Sequence, residues 1–206
     1  MGRKFSGFLF NFIAPIYGLF FQLQRQSFGK AVARAEPVLN LARHDSVLDV
    51  GCGTGALCSV LREKGLVVTG IDPAVNMLRI ARNRPETEGV DFMCGDVLSR
   101  LPFGDKTFDF SIASYVAHGM PREDRKRMYR EMGRVTRRSV IIHDYNQNRS
   151  PPISLVEWLE RGDYFRFIRH AETEMRECMA DMQTCFSAVQ VIPVDKRAHW
   201  YVCTPR

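Results

Sequence analysis

Three closely spaced glycines stand directly after a short apolar segment in the first third of the chain. The apolar segment is SVLDV at residues 46–50, and GCGTG follows at residues 51–55. Glycine backbone lets a ligand approach closely, and the helix predicted from Ala56 points its positive N-terminus at that ligand. The pattern therefore predicts a buried strand, a ligand-binding turn and a helix in succession.

A carboxylate stands at the end of the next apolar segment. Residues 66–71 predict a second strand, and Asp72 follows it, 21 residues after Gly51. An acidic residue at this spacing can bind the two hydroxyls of a ribose. Asp72 could instead cap the helix that starts near Pro73. The glycine spacing also fits the dinucleotide pattern G-x-G-x-x-A, so a nicotinamide-dependent oxidoreductase is a competing hypothesis here.

Further apolar segments predict the rest of a sheet. VDFMC at 90–94, FSIASY at 110–115 and VII at 140–142 are typical of buried strands. Residues 187–194 and 198–203 indicate a terminal hairpin, and residues 168–182 predict a helix. The basic segment 122–138 predicts an amphipathic helix that buries Met128, Met132 and Val135 and turns its arginines to solvent. Together these elements predict an α/β protein with ligands at the C-terminal ends of its strands.

Four motifs of the chain resemble those of the class I S-adenosylmethionine-dependent methyltransferases. They are VLDVGCGTG (47–55), VTGIDPAVNMLRIAR (68–82), GD (95–96) and LPFGDKTFDFSIAS (101–114), in that order over about 70 residues. Within this family the chain resembles the small-molecule enzymes of ubiquinone and menaquinone biosynthesis. Those enzymes carry a comparable A-x-x-Y stretch, here within IAPIY at 13–17, followed by Asp where this chain has Gly18.

The resemblance implies the architecture of the whole chain. It implies an α/β fold, a Rossmann-like three-layer sandwich with a seven-stranded, mostly parallel sheet. One strand is antiparallel, and the strand order is 3-2-1-4-5-7-6. Residues 1–45 would form an N-terminal helical lid, and residues 46–206 the methyltransferase domain, a single globular unit.

The resemblance also implies a cofactor, S-adenosylmethionine, which becomes S-adenosylhomocysteine. The glycines would pass under its methionine part, with Asp49 near the ammonium. Asp72 would hold the ribose hydroxyls, and Asp96 with the backbone of Val97 would bind the adenine. The full expected set is Tyr17, Asp49, Gly51, Cys52, Gly53, Gly55, Asp72, Pro73, Asp96, Val97, Ala113 and Ser114.

Residues after the fourth and fifth strands are candidates for the methyl-acceptor side. Methyl transfer needs the reacting groups aligned and shielded from water, and a base only where the acceptor arrives protonated. The catalytic candidates are His118, His143 and Asp144. The candidates for the substrate pocket are Tyr115, Tyr145, Trp158, Tyr164 and Phe165. These aromatic residues indicate a small, hydrophobic or planar acceptor, although they could equally pack the segment onto the sheet.

Several other functions lack their sequence signals. No third ligand has a spacing compatible with His143 and Asp144, so no metal site is predicted. No Asn-Pro-Pro-Tyr motif follows the fourth strand, and no Pro-Cys nucleophile is present, which argues against nucleic acid as substrate. A protein that binds the cofactor without catalysis remains an alternative.

Composition and charge bear on partners and location. The chain has 206 residues, 45% of them hydrophobic, and a net charge of +6. Six scattered cysteines predict reduced thiols in the cytoplasm. Residues 5–24 carry no charge and include Pro15, which favours a soluble lid or a membrane-surface contact over a transmembrane helix. Six basic residues against two acidic ones in the first 45 favour an anionic membrane over nucleic acid as partner. The oligomeric state is left open.

Overall fold

The computed structural model describes residues 11, 14, 18–41, 46–118, 120–145, 177–196 and 198–206. For Tyr145 it describes the backbone alone. Tyr17, Trp158, Tyr164 and Phe165, which the sequence predicts in the site, lie outside the described residues. Their roles stay predictions, as does that of the Tyr145 side chain.

From residue 46 to residue 145 helices separate the strands, except that β3 is followed by β4 with no helix between them. The helices are α1 (Phe21–Leu39), α2 (Ala56–Glu63), α3 (Val75–Arg82) and α4 (Arg122–Val135), with a 3₁₀ helix at Pro85–Thr87 and a helix α5 described over residues 177–185. The strands are β1 (Ser46–Val50), β2 (Val67–Asp72), β3 (Asp91–Cys94), β4 (Phe108–Ser114), β5 (Thr136–Tyr145), β6 (Ala188–Pro193) and β7 (Ala198–Thr204).

The strands form one sheet in the order β3-β2-β1-β4-β5-β7-β6. Strands β1 to β5 pair in parallel, and β7 runs antiparallel to both β5 and β6. This confirms the predicted sheet and its order. Because β1 to β5 all end at the same edge, the segments that follow them meet there. Ligands of open α/β sheets bind at this C-terminal edge.

Helices cover both faces of the sheet and make the predicted three-layer sandwich. Helices α1, α2 and α3 pack on one face, with Val32 and Leu57 in its core. Helices α4 and α5 pack on the other, with Met132 and Met182 buried there. Helix α1 therefore shares a core with the sheet, although it lies in the segment predicted as a lid. The prediction that residues 1–45 form a lid and residues 46–206 the methyltransferase domain stays a prediction.

The prediction of one helix over residues 122–138 is wrong at its C-terminal end. Helix α4 ends at Val135, and residues 136–138 begin β5. The Arg137 guanidinium lies 2.7 Å from the carboxylate of Asp109 on the neighbouring β4, and Arg138 lies 3.7 Å from it. A cross-strand ion pair of this kind favours the strand, and helical periodicity alone does not reveal it.

Two arginines of α4 also depart from the predicted solvated face. Arg125 is buried. Arg134 is largely buried and forms ion pairs with Glu131 at 2.5 Å and with Asp105 at 2.8 Å. These two side chains are therefore part of the packing of α4 rather than of an open basic surface.

The buried methionine face of α4 gives a stability prediction. Met132 is fully buried in the core between α4 and the sheet, so Met132→Ala should lower the free energy of unfolding by about 2–5 kcal/mol. Arg130→Ala, on the exposed face of the same helix, is the matched control and should change it by less than about 0.5 kcal/mol. Urea denaturation measures both, and equal effects would mean that α4 does not pack as described.

Candidate functional site

The glycine loop (residues 51–55) is held against the end of β2 by its own backbone. Gly51 N–H donates to the Ile71 carbonyl at 2.8 Å, and Gly53 N–H donates to the Asp72 carboxylate at 2.9 Å. Gly51, Gly53 and Gly55 have φ values of 72°, 52° and 81°, in the left-handed region that favours glycine. The sequence of this loop is therefore required by its conformation as well as by any ligand.

The glycines also differ in what surrounds them. A Cβ on Gly51 would come within 2.6 Å of the Val116 side chain, and one on Gly55 within 3.0 Å of Phe92. A Cβ on Gly53 would meet nothing within 4 Å. The loop therefore packs closely at both ends and is open at its centre, where a ligand could lie against the backbone.

Asp72 lies at the C-terminal edge of the sheet and connects the loop to the next helix. One carboxylate oxygen accepts the Gly53 N–H, and the other accepts the Ala74 N–H at 2.7 Å, just before α3. Burial raises the pKa of Asp72, and these two N–H groups oppose that rise. Each oxygen keeps a second lone pair, so the carboxylate can still accept hydrogen bonds from a diol.

Asp49, predicted to lie near the cofactor ammonium, is buried in β1 beneath the loop. Its carboxylate accepts a hydrogen bond from the Cys58 thiol of α2 at 3.1 Å. Burial raises the pKa of Asp49 to about 7, with a smaller contribution from the charge of Asp72, while the Cys58 contact lowers it. Asp49 is thus a carboxyl group that is poised to lose its proton when a cation comes near.

The other predicted cofactor residues follow β2, β3 and β4 at the same edge. Asp96 is exposed two residues after β3 and accepts the Leu98 N–H at 2.9 Å, whereas Val97 is buried. Ala113 pairs with Val50 in the sheet, directly before the glycine loop. The structure thus places Asp72, Asp96, Ala113 and the loop along one edge. Their individual roles stay predictions.

Of the predicted catalytic residues, His118 and Asp144 form a pair. The ring nitrogen Nδ1 of His118 lies 2.9 Å from one carboxylate oxygen of Asp144, and the backbone N–H of His118 donates to the other oxygen at 3.0 Å. Both side chains are largely buried. If Nδ1 carries the proton, the carboxylate fixes that tautomer, and Nε2 becomes the available base.

His143 points to the opposite face of the sheet from Asp144, because adjacent residues of a strand alternate. Its ring lies 4.6 Å from Tyr115, 5.8 Å from Phe28 and 5.7 Å from Trp200. Burial lowers the pKa of His143 to about 4, so the ring is neutral at pH 7. The structure therefore places His143 in an aromatic cluster and separates it from the His118–Asp144 pair.

Tyr115, predicted in the substrate pocket, follows β4 with a φ of 58°. This value is uncommon for a non-glycine residue and costs free energy. The Tyr115 N–H donates to the His143 carbonyl at 2.8 Å, and the two rings pack together. The aromatic cluster thus holds Tyr115 in a strained conformation beside the site edge.

Tyr129 lies beside the His118–Asp144 pair and was not predicted. Its side chain, His118 and Asp144 line a small cavity of about 10 Å³, enough for about one water molecule. Among the described residues its buried hydroxyl has no hydrogen-bond partner. Burial raises the pKa of Tyr129 well above its usual range, so this phenol stays neutral and His118 remains the stronger candidate for a base. In the sequence, Tyr129 is one more apolar position on the buried face of α4, so nothing indicates that it lies beside the His118–Asp144 pair.

A second unpredicted contact joins the N-terminal segment to the cofactor edge. Asn11 Oδ1 accepts the Asn76 N–H at 2.7 Å, and the Asn76 side chain donates to the Asn11 carbonyl at 3.0 Å. Ala14 is fully buried against Ala74 and Met77. The segment therefore covers residues next to Asp72. Two asparagines 65 positions apart carry no spacing signal, so sequence could not indicate this pair.

Comparison with known proteins agrees with this geometry. The methyltransferase-domain family matches residues 47–139. A demethylmenaquinone methyltransferase of Corynebacterium urealyticum is 38% identical over 99 residues, 48% of this chain and 40% of that protein. The biotin-biosynthesis bifunctional protein BioHC of Cellvibrio japonicus is 30% identical over 187 residues, 80% of this chain and 36% of that protein. A putative S-adenosylmethionine-dependent methyltransferase structure from Methanococcus maripaludis superimposes with a TM-score of 0.69 at 17% identity, over 94% of this chain and 92% of that chain.

The fold and the site edge define a Rossmann-like α/β protein that binds a nucleoside cofactor. Within that class, residues 47–139 belong to the methyltransferase-domain family. The relatives and the shared fold support a class I S-adenosylmethionine-dependent methyltransferase, as the motifs predict. The aligned part of the chain spans only 36% to 40% of the length of the two curated relatives.

The described residues fit S-adenosylmethionine. The centre of the glycine loop is open at Gly53, the free lone pairs of Asp72 suit a ribose diol, and the buried Asp49 suits a nearby ammonium. No group of three potential metal ligands gathers within the part of the chain that the structure describes. The ligand chemistry of this edge is therefore that of an adenosine and an amino acid.

The raised pKa of Asp49 predicts that cofactor binding releases a proton. The free carboxyl is half protonated near pH 7, and a neighbouring ammonium favours the charged form. The affinity for S-adenosylhomocysteine should therefore rise about tenfold from pH 6 to pH 8, because one proton is lost on binding. Calorimetry in buffers of different ionisation enthalpy measures the released proton.

Asp49→Asn is the control for this prediction, because it removes the titrating group and leaves any titration of the ligand. The nearby acids that share the site are Cys52, Cys58 and Asp72. Burial raises the pKa of the Cys52 thiol to about 11 and that of Cys58 well above its usual value, so neither titrates in this range. The same pH dependence in Asp49→Asn would assign the proton to another group.

Proposed function

We propose that this protein transfers the methyl group of S-adenosylmethionine to a small acceptor that is hydrophobic or aromatic. The observation that carries the proposal is the Asp72 carboxylate, which holds the glycine loop at Gly53 and keeps lone pairs for a ribose. Membership of the methyltransferase family supports it. This arrangement favours S-adenosylmethionine binding over the nicotinamide-dependent alternative.

The cofactor supplies a methyl group on a positively charged sulfur. The residues of this chain have two tasks, to align the acceptor with that methyl group and to exclude water. Tyr115, held by the aromatic cluster, lies where it can form one wall of the acceptor site. His118, oriented by Asp144, can accept a proton from an acceptor hydroxyl at Nε2.

The acceptor class rests on two kinds of support. One relative with 38% identity is named as a demethylmenaquinone methyltransferase, a name that favours a quinone-derived acceptor. The aromatic residues at the site favour a planar or hydrophobic acceptor over a strongly charged one. We therefore favour a quinol-like or phenolic hydroxyl, or an activated ring carbon, in a cytoplasmic enzyme that works next to a membrane.

Cofactor binding is the first test of this function. Asp72→Ala should weaken the calorimetric affinity for S-adenosylhomocysteine about 100-fold, because two charge-assisted hydrogen bonds to the ribose are lost at about 1.5 kcal/mol each. The control is Asp91→Ala, which changes an exposed carboxylate at the start of β3, away from the C-terminal edge of the sheet. It should leave the affinity unchanged. If the wild type shows no heat with this ligand but a thermal shift with NADH, the protein is an oxidoreductase instead.

The His118–Asp144 pair gives the second test, which separates catalysis from mere binding. His118→Gln should lower the rate of S-adenosylhomocysteine formation by about 10²–10⁴-fold while cofactor affinity stays unchanged. Asp144→Asn should lower the rate in the same direction, because the imidazole tautomer is no longer fixed. The assay uses a panel of phenolic and quinol acceptors. Full activity in His118→Gln would exclude a base at this position, and binding without turnover on every acceptor would favour a non-catalytic protein.

A further inference from the structure

Two leucines at the N-terminal end of α1 are exposed, although the helix buries Phe21, Val32 and Leu39 in the domain. Gly18 and Phe21 face the domain, and the Arg84 guanidinium contacts both the Gly18 carbonyl and the Phe21 ring. On the opposite side Leu19 is 83% exposed and Leu23 is 62% exposed. The outer face of a solvated helix normally carries polar rather than large aliphatic side chains.

Polar contacts hold the segment in this orientation. Gln22 donates to Glu86 at 2.6 Å, Arg25 forms an ion pair with Glu63, and Glu36 forms one with Lys64 at 2.7 Å. These contacts join α1 to α2 and to the 3₁₀ helix at Pro85–Thr87. The helix therefore cannot rotate to bury its leucines without breaking all of them.

Four of the exposed residues form one stripe, which we call the outward stripe: Leu19, two residues before α1, and Leu23, Gln26 and Lys30 within α1. Their spacing of four, three and four residues places them on one helical face, and all four are exposed. The stripe presents two leucines and a lysine to one side, and Phe20 next to Leu19 is 37% exposed. Exposed leucine, phenylalanine and lysine side chains together suit a membrane interface.

The charge of the sequence that contains the stripe indicates the kind of surface that the stripe contacts. Residues 1–35 contain five basic residues, Arg3, Lys4, Arg25, Lys30 and Arg34, and no acidic residue. The carboxylates of Glu86 and Glu63 near Leu23 are paired with Gln22 and Arg25. Exposed leucines in a basic sequence with no acidic residue of its own suit an anionic surface with an apolar interior better than a neutral one. Within the described residues, no helix is long and apolar enough to cross a bilayer.

We propose that the outward stripe docks the protein on the surface of an anionic lipid bilayer, with α1 lying in the interface. The same N-terminal segment contacts Ala74 and Asn76 beside Asp72. The docked surface therefore adjoins the cofactor edge of the sheet. This inference does not depend on the proposed methyltransferase activity.

Co-sedimentation of the full chain with vesicles tests the proposal. The protein should sediment with vesicles that contain phosphatidylglycerol and bind those of phosphatidylcholine alone at least tenfold more weakly. The double variant Leu19→Gln/Leu23→Gln should lose at least tenfold of the binding to anionic vesicles. Lys30→Glu should weaken it severalfold, and more at low salt than at high salt.

The matched control is Val67→Gln, which changes an aliphatic side chain of similar exposure, 68%, at the start of β2. It lies at the opposite end of the strands and should bind vesicles as the wild type does. Far-ultraviolet circular dichroism and thermal unfolding establish that each variant is folded. Wild-type sedimentation of the leucine variant, or no wild-type binding to anionic vesicles, would overturn the proposal. A dimer in light scattering that the leucine variant dissociates, without vesicle binding, would instead assign the stripe to a contact between copies.

Discussion

The site depends on one carboxylate that holds two pieces of backbone in place. Asp72 accepts the N–H groups of Gly53 and Ala74, so it ties the loop after β1 to the start of α3. Both N–H groups stand where a glycine loop or a helix start leaves donors without helical partners. The carboxylate satisfies them, and they in turn stabilise its charge against burial. The group that orders the loop is therefore also the group that we predict to bind the ribose diol.

The parts of this edge that sequence could predict are those that local rules control. A positive φ at three positions requires glycine, so GCGTG indicates a turn whatever its ligand. Apolar runs that end in Asp72 or in Ser114 indicate buried parallel strands, and the handedness and pairing of such strands leave few sheet orders. The end of α4 was mispredicted because it depends on Asp109, which lies 28 positions before Arg137 and pairs with it across two strands. Long-range ion pairs of this kind do not follow from any periodicity.

The surroundings of the two histidines likewise depend partly on a local rule and partly on long-range contacts. His143 and Asp144 are neighbours on one strand, so alternation alone requires that they face opposite sides of the sheet. That rule excludes a catalytic site shared by His143 and Asp144. It does not determine which of the two side chains contacts His118. The loop after β4 determines this contact. It brings the backbone N–H and the ring of His118 to Asp144, whereas His143 packs against Tyr115 and Trp200. One side of the sheet thereby holds a polar pair that suits proton transfer, and the other holds a neutral, aromatic support.

The sequence predicts the N-terminal segment as a lid or a membrane-surface contact, but it does not show which side chains of the segment face the domain. An aqueous helix would turn small and polar residues to solvent, whereas here Ala14 and Gly18 approach the domain closely and leave room for the Arg84 side chain. Small residues permit this close approach, and the paired asparagines at 11 and 76 fix its depth. Phe21 is buried there, but Leu19 and Leu23 remain outside. The contacts that hold this segment beside the cofactor edge thus leave two leucines exposed. Because the first 35 residues are basic and contain no acidic residue, these leucines are suited to bind an anionic membrane surface.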